Sequence, residues 1–158
     1  MNEQQTFLTR EGYQKLENEL KYLRTTRRQE VAHRLHEALA EGPILENAEL
    51  EEARNEQAFL EGRILIVEGL LRNAVIIEEG QHSHEIVGLG SYVTVTEVND
   101  SEVPETYYIV GSAEAVPIKG LISNESPLGQ ALIGHKVGET AKVNAPDGVL
   151  AFKIVGIR

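Results

Sequence analysis

The sequence predicts an α+β protein in which an antiparallel α-helical coiled-coil hairpin precedes a small β-rich domain. Two observations support this prediction. Apolar residues recur at steps of three and four through the first half of the chain, which is the period of an amphipathic helix. After Asn73, short runs rich in Val, Ile, Tyr and Thr are separated by Gly, Pro and Asn-Asp, which is typical of strands and turns. We therefore divide the chain into a hairpin domain at 1–79, a linker at 80–85 and a β-rich domain at 86–158.

The first predicted helix begins at Thr9, a favourable N-cap residue, and ends at the turn Gly42-Pro43. Its apolar series breaks in the charged stretch Arg24–Glu30 and resumes at Val31, which indicates a shift of register in the middle of the helix. Pro43 lacks a backbone N–H and disfavours helical geometry in the residue before it. The helix is therefore expected to stop at this turn.

A second predicted helix follows the turn and carries a regular apolar stripe in which only Gln57 is polar. The stripe alternates steps of three and four, which is the seam of a coiled coil. Two such helices joined by a short turn bury their stripes most simply against each other, so we predict an antiparallel hairpin with its tip near residues 41–47. The stripe consists of Leu50, Ala53, Gln57, Leu60, Ile64, Val67, Leu71 and Ala74.

Four strands and one short helix are predicted in the β-rich domain. The helix follows Ser126, an N-cap residue, and Pro127, a favourable first helical residue, and it ends at Gly134. Together these elements form a compact α+β domain. The strands are expected near Tyr92–Val98, Thr106–Val110, Thr140–Asn144 and Ala151–Ile157.

The composition favours protein partners over free nucleic acid. Lys and Arg number 15 against 25 Asp and Glu, giving a net charge of −10, whereas proteins that hold nucleic acid through its phosphates are usually basic. We therefore expect weak binding to free nucleic acid. Because the chain has no cysteine and only short apolar runs, we expect a cytoplasmic protein without a disulfide framework, a thiolate metal site or a membrane partner.

No motif for independent catalysis stands out. Gly88-Leu89-Gly90 precedes a strand instead of following one, so we interpret it as a turn and not as a phosphate-binding loop. His82 and His84 form a pair in the linker without a third metal ligand at a suggestive spacing. His33 and His36 on the first helix are interpreted as polar surface. We therefore expect no enzyme activity of the chain alone and no cofactor of its own.

Acidic side chains are concentrated around the predicted tip. Glu41, Glu46 and Glu49 bracket it, and Glu51 and Glu52 follow. Such a cluster repels itself unless solvent or a cation relieves the repulsion. A solvated tip explains the pattern, because glutamates near a helix N-terminus are favoured by the helix dipole. The alternative is functional, since carboxylates on a long spike could deliver oxygen ligands to a magnesium ion inside another protein.

Short motifs in both halves of the chain point to a family. They are Leu8–Tyr13, Glu46–Glu49, Ala53–Gln57, Glu61–Ile64, Ile122-Ser123, Ser126–Gly129, Ala131-Leu132, Gly134 and Gly138. Taken together, these motifs resemble the bacterial Gre transcript-cleavage and elongation factors, and most closely the GreA type. The resemblance covers nearly the whole chain. It implies an N-terminal coiled-coil spike and a C-terminal domain of FKBP-like fold without isomerase activity.

The resemblance also implies a function on bacterial RNA polymerase. In this family the C-terminal domain grips the rim of the polymerase secondary channel, and the spike passes inward to the active site. There the tip acids help to hold a second magnesium ion, and the polymerase itself cuts the 3′ end of backtracked RNA. The expected partners are thus RNA polymerase and the 3′ end of nascent RNA, and the expected Mg²⁺ is shared with the polymerase active site.

The resemblance also implies individual contact residues at the positions where the family motifs match this sequence. One group is expected at the channel rim, and a second group is expected to face the extruded RNA along the second helix. Surface ion pairs along that helix are the alternative explanation of the second group. The rim residues are Glu125, Ser126, Pro127 and Leu128, and the RNA-facing residues are Arg54 and Arg63.

The tip departs from the family pattern. The family usually has Gly-Asp-Leu-x-Glu-Asn-Ala-Glu-Tyr, and the tip here is Gly42-Pro43-Ile44-Leu45-Glu46-Asn47-Ala48-Glu49-Leu50. Pro43 therefore replaces an Asp, and Leu50 replaces a Tyr. Loss of one carboxylate removes a cation ligand and predicts weaker magnesium capture. Glu46 keeps the position of the second assisting acid, and Glu41 is a candidate substitute for the first.

Two functions therefore stay open at this point. The chain either stimulates transcript cleavage, with reduced strength because of Pro43, or it occupies the channel and regulates the polymerase without stimulating cleavage. A coiled-coil interaction module unrelated to transcription would share the helical period, but it would not explain the motifs in both halves.

Overall fold

The computed structural model describes residues 4–41, 47–78 and 84–158. Packing divides the chain into a helical unit, Tyr13–Asn73, and a β unit, which combines the N-terminal segment up to Gly12 with Ala74–Arg158. This division by contacts differs from the predicted division by composition, which assigned residues 1–79 to the hairpin domain. Of the predicted linker 80–85, only His84 and Glu85 are among the described residues.

The helical unit is an antiparallel hairpin, which confirms the predicted architecture. The first arm contains two α-helices separated by a π-helical turn, and the second arm is a single long helix. Within the described ranges, no helix is long and apolar enough to cross a membrane. The elements are α1 (Arg10–Tyr22), the π-helical turn (Leu23–Arg27), α2 (Arg28–Ala40) and α3 (Ala48–Arg72).

The π-helical turn lies in the charged stretch where the sequence predicts a shift of register. Each hydrogen bond of a π-helical turn spans one residue more than in an α-helix, so the turn absorbs an extra residue. Leu23 and Val31 are eight positions apart in the chain. The extra residue brings both side chains to the same face of the arm, where they pack into one cluster. The turn therefore keeps the apolar face of the first arm directed at α3.

Two clusters of apolar side chains join the arms, and a polar layer separates them. Glu56 provides this layer: it accepts a hydrogen bond from Arg27 at 3.3 Å and pairs with Arg34. Gln57, the predicted polar member of the stripe, is exposed. The buried members of the clusters are Leu20, Val31, Leu60, Ile64 and Val67 in the first, and Ala38, Leu50 and Ala53 in the second.

The β unit contains a two-stranded parallel sheet and a five-stranded sheet of order β5-β4-β3-β7-β6. In the larger sheet only β4 and β5 are parallel. The four predicted strands correspond to β3, β4, β6 and β7, whereas β1, β2 and the short β5 were not predicted. The strands are β1 (Thr6–Thr9), β2 (Ala74–Ile77), β3 (Tyr92–Glu97), β4 (Asp100–Val110), β5 (Leu121–Ser123), β6 (Thr140–Ala145) and β7 (Gly148–Ile157).

The predicted short helix is present as α4 (Pro127–Leu132), and it packs on the five-stranded sheet through the buried Leu132. Gly129 allows close contact with the edge strand, because a Cβ atom at this position would lie 2.0 Å from the carbonyl oxygen of Ser123. The residues around the start of α4 are thus held beside β5. The buried core of the unit consists of Val87, Val93, Val95, Ile109, Ile122, Leu132, Ala141 and Ile154.

Candidate functional site

Of the predicted tip at residues 41–47, the structure describes only Glu41, which follows α2, and Asn47, which precedes α3. The predicted tip residues Gly42, Pro43, Ile44 and Leu45 lie outside the described residues, as does the predicted assisting acid Glu46. Their roles therefore remain predictions.

Asn47 links the ends of the two arms. Its Oδ1 accepts a hydrogen bond from the backbone N–H of Leu50 at 3.0 Å, which caps α3. Its Nδ2 donates to the carbonyl oxygen of Ala38 at 2.6 Å, which satisfies a carbonyl in the last turn of α2. A single side chain thereby fixes the separation of the two helix ends that lead into the tip.

Glu41 and Glu49 bring their carboxyl groups together across the tip. A hydrogen bond with Glu41 raises the pKa of Glu49 above its ordinary value, and the negative charges of Glu41 and Glu52 raise this pKa further. Among the described residues, no three acidic or histidine side chains are grouped so that they could hold a metal ion.

The raised pKa of Glu49 predicts a pH-dependent effect on stability. The folded chain holds a proton at Glu49 more tightly than the unfolded chain, so this residue lowers stability as pH rises above the ordinary value of 4.5. Glu49→Gln should have a higher Tm at pH 7 than Glu51→Gln, which removes an acid from the same helical turn. Thermal unfolding followed by circular dichroism would measure the difference.

The difference between the two variants should shrink as the pH is lowered through 4.5, because Glu49 then becomes protonated in both the folded and the unfolded state. A Tm of Glu49→Gln equal to or below that of Glu51→Gln at pH 7 would contradict the inferred repulsion.

Arg54 and Arg63 differ in their surroundings on α3. Arg63 donates through Nε and Nη2 to the two carboxylate oxygens of Glu19, at 2.6 and 3.0 Å. This bidentate hydrogen bonding raises the pKa of Arg63. Arg54 is exposed and makes no ion pair with any of the residues that the structure describes. Arg54 can thus receive a phosphate without losing a contact, whereas Arg63 would have to exchange its carboxylate partner.

Ser126 connects α4 to the edge strand β5. Its hydroxyl oxygen accepts a hydrogen bond from the backbone N–H of Gly129 at 3.0 Å, which confirms the predicted N-cap. The same hydroxyl donates to the carbonyl oxygen of Ser123 at 2.7 Å. Pro127 is exposed beside it, and Leu128 packs partly against the core of the β unit. The four predicted rim residues, from Glu125 to Leu128, therefore form one continuous surface, which we call the α4 surface.

The carboxylate of Glu125 is held in place on the α4 surface. Its Oε1 accepts a hydrogen bond from Gln4 Nε2 at 3.1 Å, and its Oε2 accepts one from Ser112 Oγ at 2.8 Å. The backbone N–H of Glu125 donates to Ser123 Oγ at 3.0 Å. A carboxylate has about four lone-pair sites, so this exposed group can still accept hydrogen bonds from a basic side chain of a partner.

Glu114 supports the start of α1 and was not identified from the sequence. Its carboxylate accepts hydrogen bonds from the Thr9 backbone N–H at 2.7 Å and from Thr9 Oγ1 at 2.6 Å. Thr9 Oγ1 in turn accepts from the Gly12 N–H at 3.0 Å, which confirms Thr9 as the N-cap. A Cβ atom at Gly12 would lie 2.1 Å from Glu114 Oε1. In the motif Leu8–Tyr13, the Thr therefore caps the first turn of α1, and the Gly leaves room for the carboxylate of Glu114.

Comparison with known proteins gives matches over both units. A family model described as "Transcription elongation factor, N-terminal" matches residues 6–76, and one described as "Transcription elongation factor, GreA/GreB, C-term" matches residues 82–158. The chain is 52% identical over 151 residues to transcription elongation factor GreA of Acetivibrio thermocellus, with 96% of this chain and 94% of that protein covered. It is 47% identical over 158 residues to GreA of Clostridium perfringens, with 100% of this chain and 99% of that protein covered.

A solved structure gives a further match. The crystal structure of GreA factor homolog 1 (Gfh1) of Thermus thermophilus is 36% identical to this chain, with a TM-score of 0.45 and coverage of 98% of this chain and 99% of that one.

Proposed function

The chain belongs to the GreA/GreB family of transcription elongation factors, and on that premise we propose that it is an accessory factor of bacterial RNA polymerase. It enters the secondary channel of backtracked or arrested complexes and stimulates the polymerase's own cleavage of the nascent transcript. The observation that carries this proposal is the match of both units, from residue 6 to residue 158, to the elongation factor models.

The α4 surface is the proposed contact with the rim of the channel. Ser126 fixes α4 against β5, and Gln4 and Ser112 hold the carboxylate of Glu125. A surface held in this way loses little conformational entropy on binding, which favours affinity. The exposed Pro127 adds a rigid apolar contact next to the charge.

The hairpin is the part proposed to reach the active site of the polymerase. At 1.5 Å per residue, the 25 residues of α3 span about 37 Å. Asn47 sets the spacing of the arms at the tip. A helix pair of this length can carry the tip acids well away from the residues at the other end of α3.

The tip acids are proposed to act together with a magnesium ion shared with the polymerase. Carboxylates are hard oxygen ligands that suit Mg²⁺, and the raised pKa of Glu49 is consistent with a tip whose negative charge favours a proton or a cation. When bound, the ion would polarise a water molecule that attacks the RNA phosphodiester. Glu46 is the proposed principal ligand of this chain, Glu41 is the candidate second ligand, and Pro43 is the reason to expect weak stimulation.

A transcript-cleavage assay tests this function. Backtracked complexes of a bacterial RNA polymerase, with RNA labelled at its 5′ end, are incubated with and without the chain over a range of Mg²⁺ concentrations. We expect faster shortening of the RNA from its 3′ end when the chain is present. Binding to the complex without faster shortening would contradict the proposal and would indicate a regulator that occupies the channel.

The different surroundings of Arg54 and Arg63 predict unequal effects on RNA contact. Arg54→Ala should reduce crosslinking from a photoreactive nucleotide at the RNA 3′ end by about tenfold or more, the value of one charge-assisted hydrogen bond to phosphate. Arg63→Ala should have a smaller effect, because Arg63 is already paired with Glu19. In a Glu19→Gln background the effect of Arg63→Ala should increase. Crosslinks confined to the C-terminal domain would contradict the assignment of both residues.

A further inference from the structure

Residues Val116–Leu121 form a closed turn at one end of the edge strand β5. The backbone N–H of Val116 donates to the carbonyl oxygen of Leu121 at 2.9 Å, and Leu121 donates back to Val116 at 3.2 Å. Within the turn, Lys119 donates to Val116 at 2.8 Å and Gly120 donates to Pro117 at 3.0 Å. The backbone of this segment is therefore fixed by its own hydrogen bonds, and we call it the 116–121 turn.

Gly120 attaches the 116–121 turn to the five-stranded sheet. Its carbonyl oxygen accepts a hydrogen bond from the backbone N–H of Tyr108 in β4 at 2.8 Å. Its φ of +79° lies in the left-handed region that favours glycine, and a Cβ atom here would lie 3.2 Å from the carbonyl oxygen of Thr106. The turn is consequently held in one position relative to β4.

Ile118 is the side chain that the 116–121 turn exposes. It is 98% exposed, the largest exposed fraction among the large hydrophobic residues that the structure describes. Single exposed apolar side chains are common on protein surfaces, but Ile118 sits on a backbone that is already fixed. Because little backbone entropy remains to be lost, burial of Ile118 by a partner would contribute nearly its full hydrophobic gain to binding.

The 116–121 turn and the α4 surface lie at the two ends of β5. This strand has three residues, so its ends are about 10 Å apart. A typical protein interface buries about 800 Å² per partner, which corresponds to a patch roughly 30 Å across. A partner that covers the α4 surface can therefore also reach Ile118.

We propose that Ile118 is an apolar anchor of the contact with RNA polymerase, received by an apolar recess on the same polymerase surface that places a basic side chain against Glu125. This inference rests on the function proposed above. Charge complementarity favours the polymerase over a second copy of the chain, because the exposed carboxylate of Glu125 would attract a basic side chain, whereas a copy with a net charge of −10 would be repelled.

The affinity of single variants for RNA polymerase tests the role of Ile118. Ile118→Ser should weaken binding by about tenfold, as expected for an interface anchor. Val149→Ser is the matched control, since Val149 is also an exposed aliphatic residue, at 62%, but lies in β7, which is separated from β5 by β3 and β4. The control should change affinity by no more than about twofold. Ile118→Leu should restore most of the binding, because it restores apolar contact area.

The possible results of this experiment distinguish the role of Ile118 from the proposed function. Circular dichroism and Tm values that match the native chain would show that Ile118→Ser remains folded. Equal affinities of Ile118→Ser and Val149→Ser would overturn the role of Ile118 while leaving the proposed function intact. Failure of the native chain itself to bind polymerase would instead overturn the proposed function. Self-association of the native chain in sedimentation, lost in Ile118→Ser without a change in polymerase affinity, would assign Ile118 to a dimer contact and overturn the inference.

Discussion

Replacing Glu125 and Pro127 together by alanine is expected to reduce the affinity of the chain for RNA polymerase by about 100-fold or more. The carboxylate of Glu125 is held by Gln4 and Ser112, so it is positioned for a basic partner before binding. Its removal would leave the partner's cation without a hydrogen-bond acceptor, which is costly at the centre of an interface. Titration of labelled polymerase with the purified double variant would measure the loss.

The double variant should stay folded for a structural reason. The connection of α4 to β5 is made by the hydroxyl of Ser126, which the variant retains. Pro127 is the first residue of α4, where the backbone N–H is not needed by the helix. Ser112→Ala is a useful companion, because it removes one support of Glu125 while keeping the carboxylate, and it should lower affinity much less. Undiminished affinity of a folded double variant would remove the α4 surface from the polymerase contact.

The second large effect is expected at the tip, where Glu46→Ala should reduce stimulated cleavage by at least about tenfold. Outer-shell partners of metal ligands are already worth 10- to 100-fold in metal affinity or activity, and a carboxylate that binds the ion directly should be worth no less. Pro43→Asp should increase cleavage, because it restores a second carboxylate ligand. The native chain, Glu46→Ala and Pro43→Asp would be compared on the same backtracked complex. The differences between their rates of stimulated cleavage should become smaller as the Mg²⁺ concentration is raised.

Glu41→Ala separates the two roles available to the tip acids. If Glu41 replaces the missing Asp, this variant should lose cleavage activity as Glu46→Ala does. If Glu41 only raises the pKa of Glu49, as it does in the isolated chain, cleavage should be unchanged. Activity of Glu46→Ala equal to that of the native chain, with no gain from Pro43→Asp, would mean that the tip is not a magnesium site.

Much of the fold was predictable because its signals are local. The coiled-coil stripe gives the helix pair, and the break in the charged stretch corresponds to the π-helical turn Leu23–Arg27. Ser126 and Pro127 mark the start of α4 through the chemistry of N-caps and first-turn prolines. The Gre family motifs lie in both halves of the chain, and the elongation factor models match both.

The sequence predictions that differ from the structure concern contacts between residues that are distant in the chain, which local patterns do not reveal. A step of three and a step of four lead from Ala53 to Leu60 whether the residue between them is Glu56 or Gln57. The helical period alone therefore does not identify the polar member of the stripe. The choice depends on Arg27 and Arg34 on the opposite arm, which pair with Glu56. The short strands β1 and β2 continue the apolar pattern of the neighbouring helices, so the helical period concealed them.

The residues that hold the candidate site residues in place could not be predicted from the sequence either. Glu114 contacts Thr9 over 105 positions of the chain, and Gln4 contacts Glu125 over 121 positions. Neither residue belongs to a short motif that we could recognise. Such pairs depend on how β1 and the turns after β4 are brought together in the β unit, which only the three-dimensional structure provides.

The position of the hairpin tip in a backtracked complex tests whether the hairpin reaches the active site of the polymerase. The chain has no cysteine, so Ala48→Cys, at the exposed first residue of α3, gives a single site for a photocrosslinker. Asp147→Cys, exposed between β6 and β7, gives the matching label on the β unit. We predict that the label at position 48 crosslinks to the 3′ end of the RNA and to the polymerase active site, while the label at position 147 does not. Crosslinks from position 48 that reach only the outer surface of the polymerase would contradict the proposal that the hairpin enters the secondary channel.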